Sequence, residues 1–279
     1  MPRANKLAMA KQNEQITRSP DHRAAAPQAI ILAAGRGTRM PGQRPKVLYE
    51  VCNRPMLSWV IQACRDAGVC RCIIVVGYGA DQIRQFVAKD KDCTCIEQAE
   101  LLGTGHAVLM AKYLFENQPV VDVFVLTGDG PLIRPHTLSR LLEVHRTRKG
   151  AATLATAIVD DPSNYGRIVR DDAGEFQFIV EEQDASPTQQ KIREINPSYY
   201  CFRSDALFDG LDGITTNTLQ NEYYITDVPG LLRKRGLTVT VERTVPADEA
   251  LSINTPDQLE QVDLILSARI GCGAEVKGA

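Results

Sequence analysis

Two fixed positive charges beside a glycine turn are the first residues in this sequence that could do chemistry. The stretch "LAAGRGTRM" runs from Leu32 to Met40, and Lys46 follows between Pro45 and Val47. Gly35 and Gly37 permit backbone angles and close approaches that a side chain would block, so amide N–H groups of the loop can point at phosphate oxygens. Arg39 offers a planar guanidinium fork and Lys46 a compact ammonium, a pair suited to a long polyphosphate. Farther on, "LTGDGPL" sets Asp129 just past an apolar run. A carboxylate there either shapes a turn or offers hard oxygen ligands to magnesium.

Two familiar phosphate motifs do not fit the loop. The dinucleotide fingerprint wants a third glycine three residues after Gly37, where Met40 stands, and the P-loop wants Gly-Lys followed by Ser or Thr. What remains is a plain tight turn or a site at which Arg39 and Lys46 supply charge to a long polyphosphate.

The elements that must position these residues read as an α/β fold. "QAIILAA", "RCIIVVGYG" and "VDVFVLTGDGPL" are buried strands, and "CTCIEQ" is a shorter one. Between them lie helical stretches, "PMLSWVIQACRDAG" with Pro55 near its start and Gly68 at its end, "ADQIRQFVAKD", "GTGHAVLMAKYLF" and "RPHTLSRLLEVHRTRKG". Alternating elements with continuous apolar strands predict a parallel sheet covered on both faces. The loop after the first strand then falls at the sheet's carboxyl edge, where such folds bind ligands. From Ala151 the rhythm changes. "AATLATAIV" is a strand, "YGRIVRDDAGEFQFIVEEQD" alternates like a hairpin about Ala173-Gly174, and "PSYYCFRS" is a further strand. A helix around "NEYYITDVPGLLRKRG" precedes the strand "LTVTVER", and "TPDQLEQVDLILSARI" is a helix capped by Thr255 with Pro256 behind it.

Composition limits the partners. The chain has 279 residues, 24% charged, with a net charge of −2, so any anion site must be local and neither nucleic acid nor an anionic membrane is an expected partner. No apolar run approaches the roughly 20 residues that span a bilayer. The polar stretch over residues 1–27 lacks the apolar core of a secretory signal and reads as a flexible arm. The eight cysteines include the pairs Cys70/Cys72 and Cys93/Cys95. Their one-residue spacing is too short for a structural zinc site and no histidine pair accompanies them, so they read as reduced thiols of a cytoplasmic protein acting as small hydrophobes.

With these residues in view, "LAAGRGTRM…PKVL" resembles the signature of sugar-nucleotide pyrophosphorylases, which join a nucleoside triphosphate to a sugar 1-phosphate. The resemblance spans roughly Ala29 to Ile270. It implies a Rossmann-like α/β fold, with a mixed, mostly parallel central sheet flanked by helices and an added hairpin and strands in the second half. It also implies one nucleotidyltransferase domain over 28–270, with a nucleotide-binding half at 28–150, a sugar-binding half at 151–270 and a tail at 271–279. Leu32, Ala33, Ala34, Gly35 and Gly37 would wrap the triphosphate, with Arg39 and Lys46 as the catalytic charges. "EQAELLGTGHA" is similar to the segment that reads uracil in bacterial N-acetylglucosamine-1-phosphate uridylyltransferases. There Gln98 would meet the base edge, its amide offering donor and acceptor together, beside Gly103 and Thr104.

Other positions follow from the same resemblance. Asp129 and Asn254, the latter in "ALSINTPDQL", would hold Mg2+. Gly166 in "NYGRIV", Glu181 in "FIVEEQDA", Asn196 in "REINPSYY" and Tyr223 in "NEYYITD" would line the sugar pocket, with Glu182 facing outward. The expected reaction is UTP plus N-acetylglucosamine 1-phosphate giving UDP-N-acetylglucosamine and pyrophosphate. The alternatives are the same chemistry on glucose or N-acetylgalactosamine 1-phosphate, a non-catalytic UDP-sugar-binding protein, and a glycosyltransferase, which would usually carry an Asp-x-Asp motif. His106 would have a structural or minor binding role. The final "GCGAEVKGA" shows no hexapeptide repeats, so the β-helix acetyltransferase of bifunctional relatives, and its trimer, are not expected. The oligomeric state is left open.

Overall fold

The computed structural model describes residues 25–216 and 221–271. The strands in chain order are β1 (Gln28–Ala33), a short pair β2 (Glu50–Val51) and β3 (Arg54–Pro55), β4 (Arg71–Val76), β5 (Cys93–Glu97), β6 (Asp122–Thr127), β7 (Ala152–Ile158), β8 (Gly166–Arg170), β9 (Phe176–Val180), β10 (Glu194–Arg203) and β11 (Val239–Glu242). The helices are α1 (Met56–Asp66), α2 (Ala80–Val87), α3 (Thr104–Leu109), α4 (Pro135–Arg148), α5 (Ser204–Leu211), α6 (Asp227–Lys234) and α7 (Pro256–Ile270).

One nine-stranded sheet carries both halves of the chain, in the order β11-β7-β10-β6-β1-β4-β5, with β8 on β10 and β9 on β8. β6, β1, β4 and β5 pair in parallel, whereas β10 runs antiparallel to both of its main neighbours, β6 and β7. The sheet is therefore mixed and mostly parallel, as expected. Side chains of alternate strand residues point to opposite faces. Ala29, Ile31 and Ala33 of β1 join Leu57 and Val60 of α1, Ile83 of α2 and Leu138 of α4 on one side. Ile30 faces the other, with Val108 of α3, Leu207 of α5 and Val228 of α6. Both parities are buried, which explains the unbroken apolar runs; each fully buried aliphatic side chain is worth about 1.5–3 kcal/mol.

A third cluster lies away from the sheet. Met40, Val51, Met56, Leu132 and Ile253 pack with Val262 and Leu266 of α7. The start of α7 is fixed by a capping box in which Thr255 accepts from the Gln258 amide at 3.3 Å while the Gln258 side chain accepts from Thr255 N–H at 3.2 Å. Pro256 follows the cap, as the sequence suggests. The hairpin is also where it was expected. Gly174, at φ +81°, closes the turn between β8 and β9, its N–H donating to Asp171 O at 2.9 Å.

Two helices are shorter than their sequence pattern predicts. α3 gives way after Leu109 to i→i−3 bonding, with Ala111 N–H to Val108 O and Leu114 N–H to Ala111 O, both at 3.0 Å. The stretch from Asn221 to Tyr224 is not helical, and α6 begins only at Asp227. The backbone there is already committed: Tyr223 N–H donates to Leu102 O at 2.9 Å and Tyr223 O accepts from Gly105 N–H at 2.7 Å. Cys64, Cys70, Cys72, Cys93, Cys95 and Cys201 are free thiols. Cys70 precedes β4 and is exposed, whereas Cys72 is buried and opposite Cys93 on β5. Cys272 and the proposed arm and tail, save 25–27 and 271, lie outside the described residues.

Candidate functional site

The loop leaving β1 turns at Gly37, whose φ of +63° is a left-handed conformation. A Cβ at this position would lie 2.7 Å from Lys46 Cβ, so the turn needs glycine in order to let the lysine pass. Lys46 itself starts a single 3₁₀ turn behind Pro45, anchored by the buried side chains of Val47 and Leu48. That anchoring holds its stem while the ammonium reaches across the carboxyl edge of the sheet.

The ammonium meets two oxygens from distant parts of the chain. Lys46 Nζ donates to Asp129 Oδ2 in a short contact and to Asn254 Oδ1 at 2.8 Å. Asp129 lies two residues beyond β6, and the adjacent edge of β1 is stitched to it by Gly128 N–H donating to Leu32 O at 2.9 Å. Ile253 N–H donates to Asp129 O at 3.1 Å, so the segments carrying Asp129 and Asn254 are joined through their backbones as well. Asn254 is held further by its N–H to Gln258 Oε1 at 2.7 Å and its amide Nδ2 to Ser252 Oγ at 3.3 Å. Two hard oxygen donors thus converge on one cationic atom, a donor set that also fits a divalent metal ion. Asp129 and Asn254 are the residues that could hold it.

Lys46 and Asp129 line a cavity of about 310 Å³. Leu32, Ala33, Ala34 and Gly35 line it at the end of β1, and Gln98, Gly103 and Thr104 line it beyond β5, which β1 and β4 separate from β6. Gln98 is 3% exposed, one residue beyond β5. Its Nε2 donates to Gly103 O at 3.0 Å and sits 3.0 Å from His106 Nδ1. Val47, Leu101, Ala107, Thr127 and Glu222 complete the lining. The sequence reading did not single out these five, although each lies within a stretch it quoted: Val47 in "PKVL", Leu101 and Ala107 in "EQAELLGTGHA", Thr127 in "LTGDGPL" and Glu222 in "NEYYITD".

Arg39 is not brought into this cavity. Its side chain is exposed, and among the described residues no group hydrogen-bonds or pairs with it. Gly37 does not line the cavity either; it acts from behind, through Lys46.

Gly166, Glu181 and Asn196 come together on the second half of the sheet. Gly166 and Asn196 are register partners on β8 and β10, and a Cβ at Gly166 would lie 3.5 Å from Glu181 Oε2. Asn196 falls in a β-bulge, where the register shifts between Ile195 and Tyr199 and Ser198 takes φ +64°. Its side chain is fixed by Nδ2 donating to Tyr200 Oη at 2.6 Å and Oδ1 accepting from Ser198 N–H at 3.2 Å. Glu181 accepts from Thr226 Oγ1 at 2.8 Å. Burial pushes its carboxyl above the ordinary value, with the Thr226 hydroxyl acting in the opposite sense. Glu182 turns away, its Oε2 accepting from Asn164 N–H at 2.5 Å.

Tyr223 lies elsewhere. It lines a neighbouring pocket of about 370 Å³ with His106, Leu109, Leu211 and Ile214, rather than the cavity holding Lys46. What its stretch delivers to the site is Thr226, together with Ile225 N–H, which donates to Thr104 Oγ1 at 3.1 Å. Threonine in a non-helical approach to α6 was the available signal, and it was not used.

Residues 29–194 match the family of MobA-like NTP transferase domains. The chain is 46% identical over 242 residues to the bifunctional protein GlmU of Heliobacterium modesticaldum, and 46% identical over 242 residues to that of Pelotomaculum thermopropionicum, covering 87% of this chain and 52% of each relative. It is 39% identical over 252 residues to the bifunctional protein GlmU of Clostridioides difficile. The chain thus spans about half the length of the curated relatives it matches. Among solved structures, a Bacillus anthracis protein provisionally named a glucose-1-phosphate thymidylyltransferase superposes with a TM-score of 0.71 at 19% identity, covering 86% of this chain and 95% of that one. That likeness is one of fold.

Proposed function

As the chain belongs to the MobA-like NTP transferase domain family, we propose that it transfers the uridylyl group of UTP to N-acetylglucosamine 1-phosphate, giving UDP-N-acetylglucosamine and pyrophosphate in the cytoplasm. The observation that carries this reading is that Lys46, held by Asp129 and Asn254, shares a cavity with Gln98, Gly103 and Thr104, while β1 and β4 separate β6, which leads to Asp129, from β5, which leads to Gln98. That strand order suits a nucleotide lying across the carboxyl edge of the sheet with its phosphates at the lysine and its base at the glutamine. The name and identity of the GlmU relatives support the same reading.

In this reaction a phosphate oxygen of the sugar 1-phosphate attacks the α-phosphorus and pyrophosphate leaves in line. The nucleophile is already anionic at neutral pH, so the protein has no proton to remove, and catalysis reduces to positioning and charge compensation. Lys46 would neutralise charge gathering on the α-phosphoryl oxygens. The β1 loop amides from Leu32 to Gly37 would grip the triphosphate, and Arg39, free on the loop, would close on the departing pyrophosphate. Glu181, Asn196 and the backbone at Gly166 would orient the sugar, while Tyr223, expected from the sequence at the acetyl side, lines the neighbouring pocket instead. Asp129 and Asn254 would hold Mg2+, which when bound supplies positive charge between two mutually repelling phosphates. In this reading residues 28–150 serve the nucleotide and 151–270 the sugar.

The test is pyrophosphate release from UTP with N-acetylglucosamine 1-phosphate, with and without EDTA. Release only with the metal present is the expected result. Release with glucose 1-phosphate or another nucleotide, and none with this pair, overturns the substrate assignment.

A further inference from the structure

Gln98 can present either face of its amide to a ligand, and the two faces suit different bases. The surrounding structure removes that choice. Its Nε2 lies 3.0 Å from Gly103 O and 3.0 Å from His106 Nδ1. Gly103 O is a carbonyl and can only accept, so the nitrogen must be on that side; the rotated amide would set oxygen against oxygen. With one N–H spent on Gly103, the second faces His106 Nδ1, which accepts it as the unprotonated nitrogen of a neutral imidazole. Both donors of the amide are then used. Oε1 has no partner among the described residues, and it is the polar function left to this side chain on the cavity wall.

We propose that His106 is the positioning residue that sets nucleotide selectivity: by taking the second N–H of Gln98 it leaves the cavity with an acceptor alone. Set opposite the ring nitrogen of a pyrimidine, such an acceptor takes the N3–H of uracil and repels the bare N3 of cytosine, whose exocyclic amine it would meet only with the base shifted. This inference rests on the assignment of a uridine nucleotide to the cavity and explains how that choice would be made. His106 acts through Gln98, and its imidazole faces the neighbouring pocket.

Two substitutions separate the hydrogen bond from the shape of the ring. His106→Phe keeps the bulk and removes the acceptor. His106→Asn places Oδ1 where Nδ1 stood and keeps it. Steady-state pyrophosphate release is measured with UTP and with CTP for wild type and both variants. Wild type should prefer UTP. In His106→Phe the UTP:CTP ratio of kcat/KM should fall about tenfold, through KM for UTP rather than kcat, because an amide anchored by Gly103 alone no longer holds Oε1 fixed towards the cavity. His106→Asn should restore most of the preference. A wild-type ratio near one, an unchanged ratio in His106→Phe, or a loss in His106→Asn as large as in His106→Phe overturns the inference. If wild type turns over no nucleotide at all, the catalytic reading falls instead, and calorimetric binding of UTP and CTP to the same three proteins decides the role of His106 by the same criteria.

Discussion

Lys46 Nζ donates to Asn254 Oδ1 at 2.8 Å across 208 residues of chain, and the same ammonium also donates to Asp129. The lysine therefore occupies the point at which the two oxygens converge, and a metal ion binding them must displace it. Lys46→Ala should bind Mn2+ about tenfold more tightly than wild type in the absence of nucleotide, since a repelling charge roughly 4 Å away is removed. Its turnover should nevertheless fall on the order of 100- to 1,000-fold, as for the loss of one transition-state charge contact. Calorimetry with Mn2+ and pyrophosphate release measure the two effects. Weaker metal binding in the variant would refute the competition.

The two loop glycines should respond differently to alanine. At Gly37 the added Cβ meets Lys46 Cβ at 2.7 Å and the backbone has φ +63°. Gly37→Ala should lose about 1–2 kcal/mol of stability from the left-handed conformation and lower turnover by displacing the lysine. At Gly35 the added Cβ meets nothing within 4 Å, yet the residue lines the cavity. Gly35→Ala should melt within a few degrees of wild type and raise KM for UTP. Equal stabilities for the two variants would contradict this division of labour.

Thr226→Val keeps the shape of a buried side chain and removes the donor to Glu181 Oε1 at 2.8 Å. KM for the sugar 1-phosphate should rise about tenfold while KM for UTP stays within about twofold, as expected for one lost hydrogen bond to a carboxylate. Parallel changes in both constants would place Glu181 outside the sugar site.

Acid sensitivity should trace to Glu194. Burial alone would raise its carboxyl, but Arg170, Arg243 and Thr156 hold it down to about 2, below the ordinary 4.5. A depressed folded-state value stabilises the fold above the unfolded value and is lost as pH falls through the folded one. Glu194→Gln should be less stable than wild type by about 3 kcal/mol at pH 7, and the gap should narrow between pH 4.5 and 2. Urea titrations at pH 7 and pH 3 check this, and a gap that does not shrink at pH 3 excludes the linkage.

The central strands were legible because residues such as Ile30, Ile31, Ile73 and Val125 are buried on both faces of a parallel sheet, which leaves unbroken apolar runs. The α7 cap was legible because Thr255, Pro256 and Gln258 act within four residues. The position of β10 between β6 and β7 was not, since strand order depends on pairings across the whole chain. Neither was the non-helical Asn221–Tyr224 segment, whose backbone partners, Leu102 and Gly105, lie more than a hundred residues away. The glycine loop, Lys46 and Asp129 stood out by residue type. That Arg39 would stay outside the cavity, and that Thr226 would meet Glu181, depends on side-chain geometry that residue type does not encode.

Asn254 hangs from the first turn of α7, its N–H bound by Gln258 Oε1 at 2.7 Å. During synthesis Lys46 and Asp129 leave the ribosome long before this asparagine and the helix that holds it. The Lys46–Asp129 contact spans 83 residues of chain and the Lys46–Asn254 bond 208, so the third group joins the other two only with the docking of α7 on the Met40–Val51–Met56 cluster.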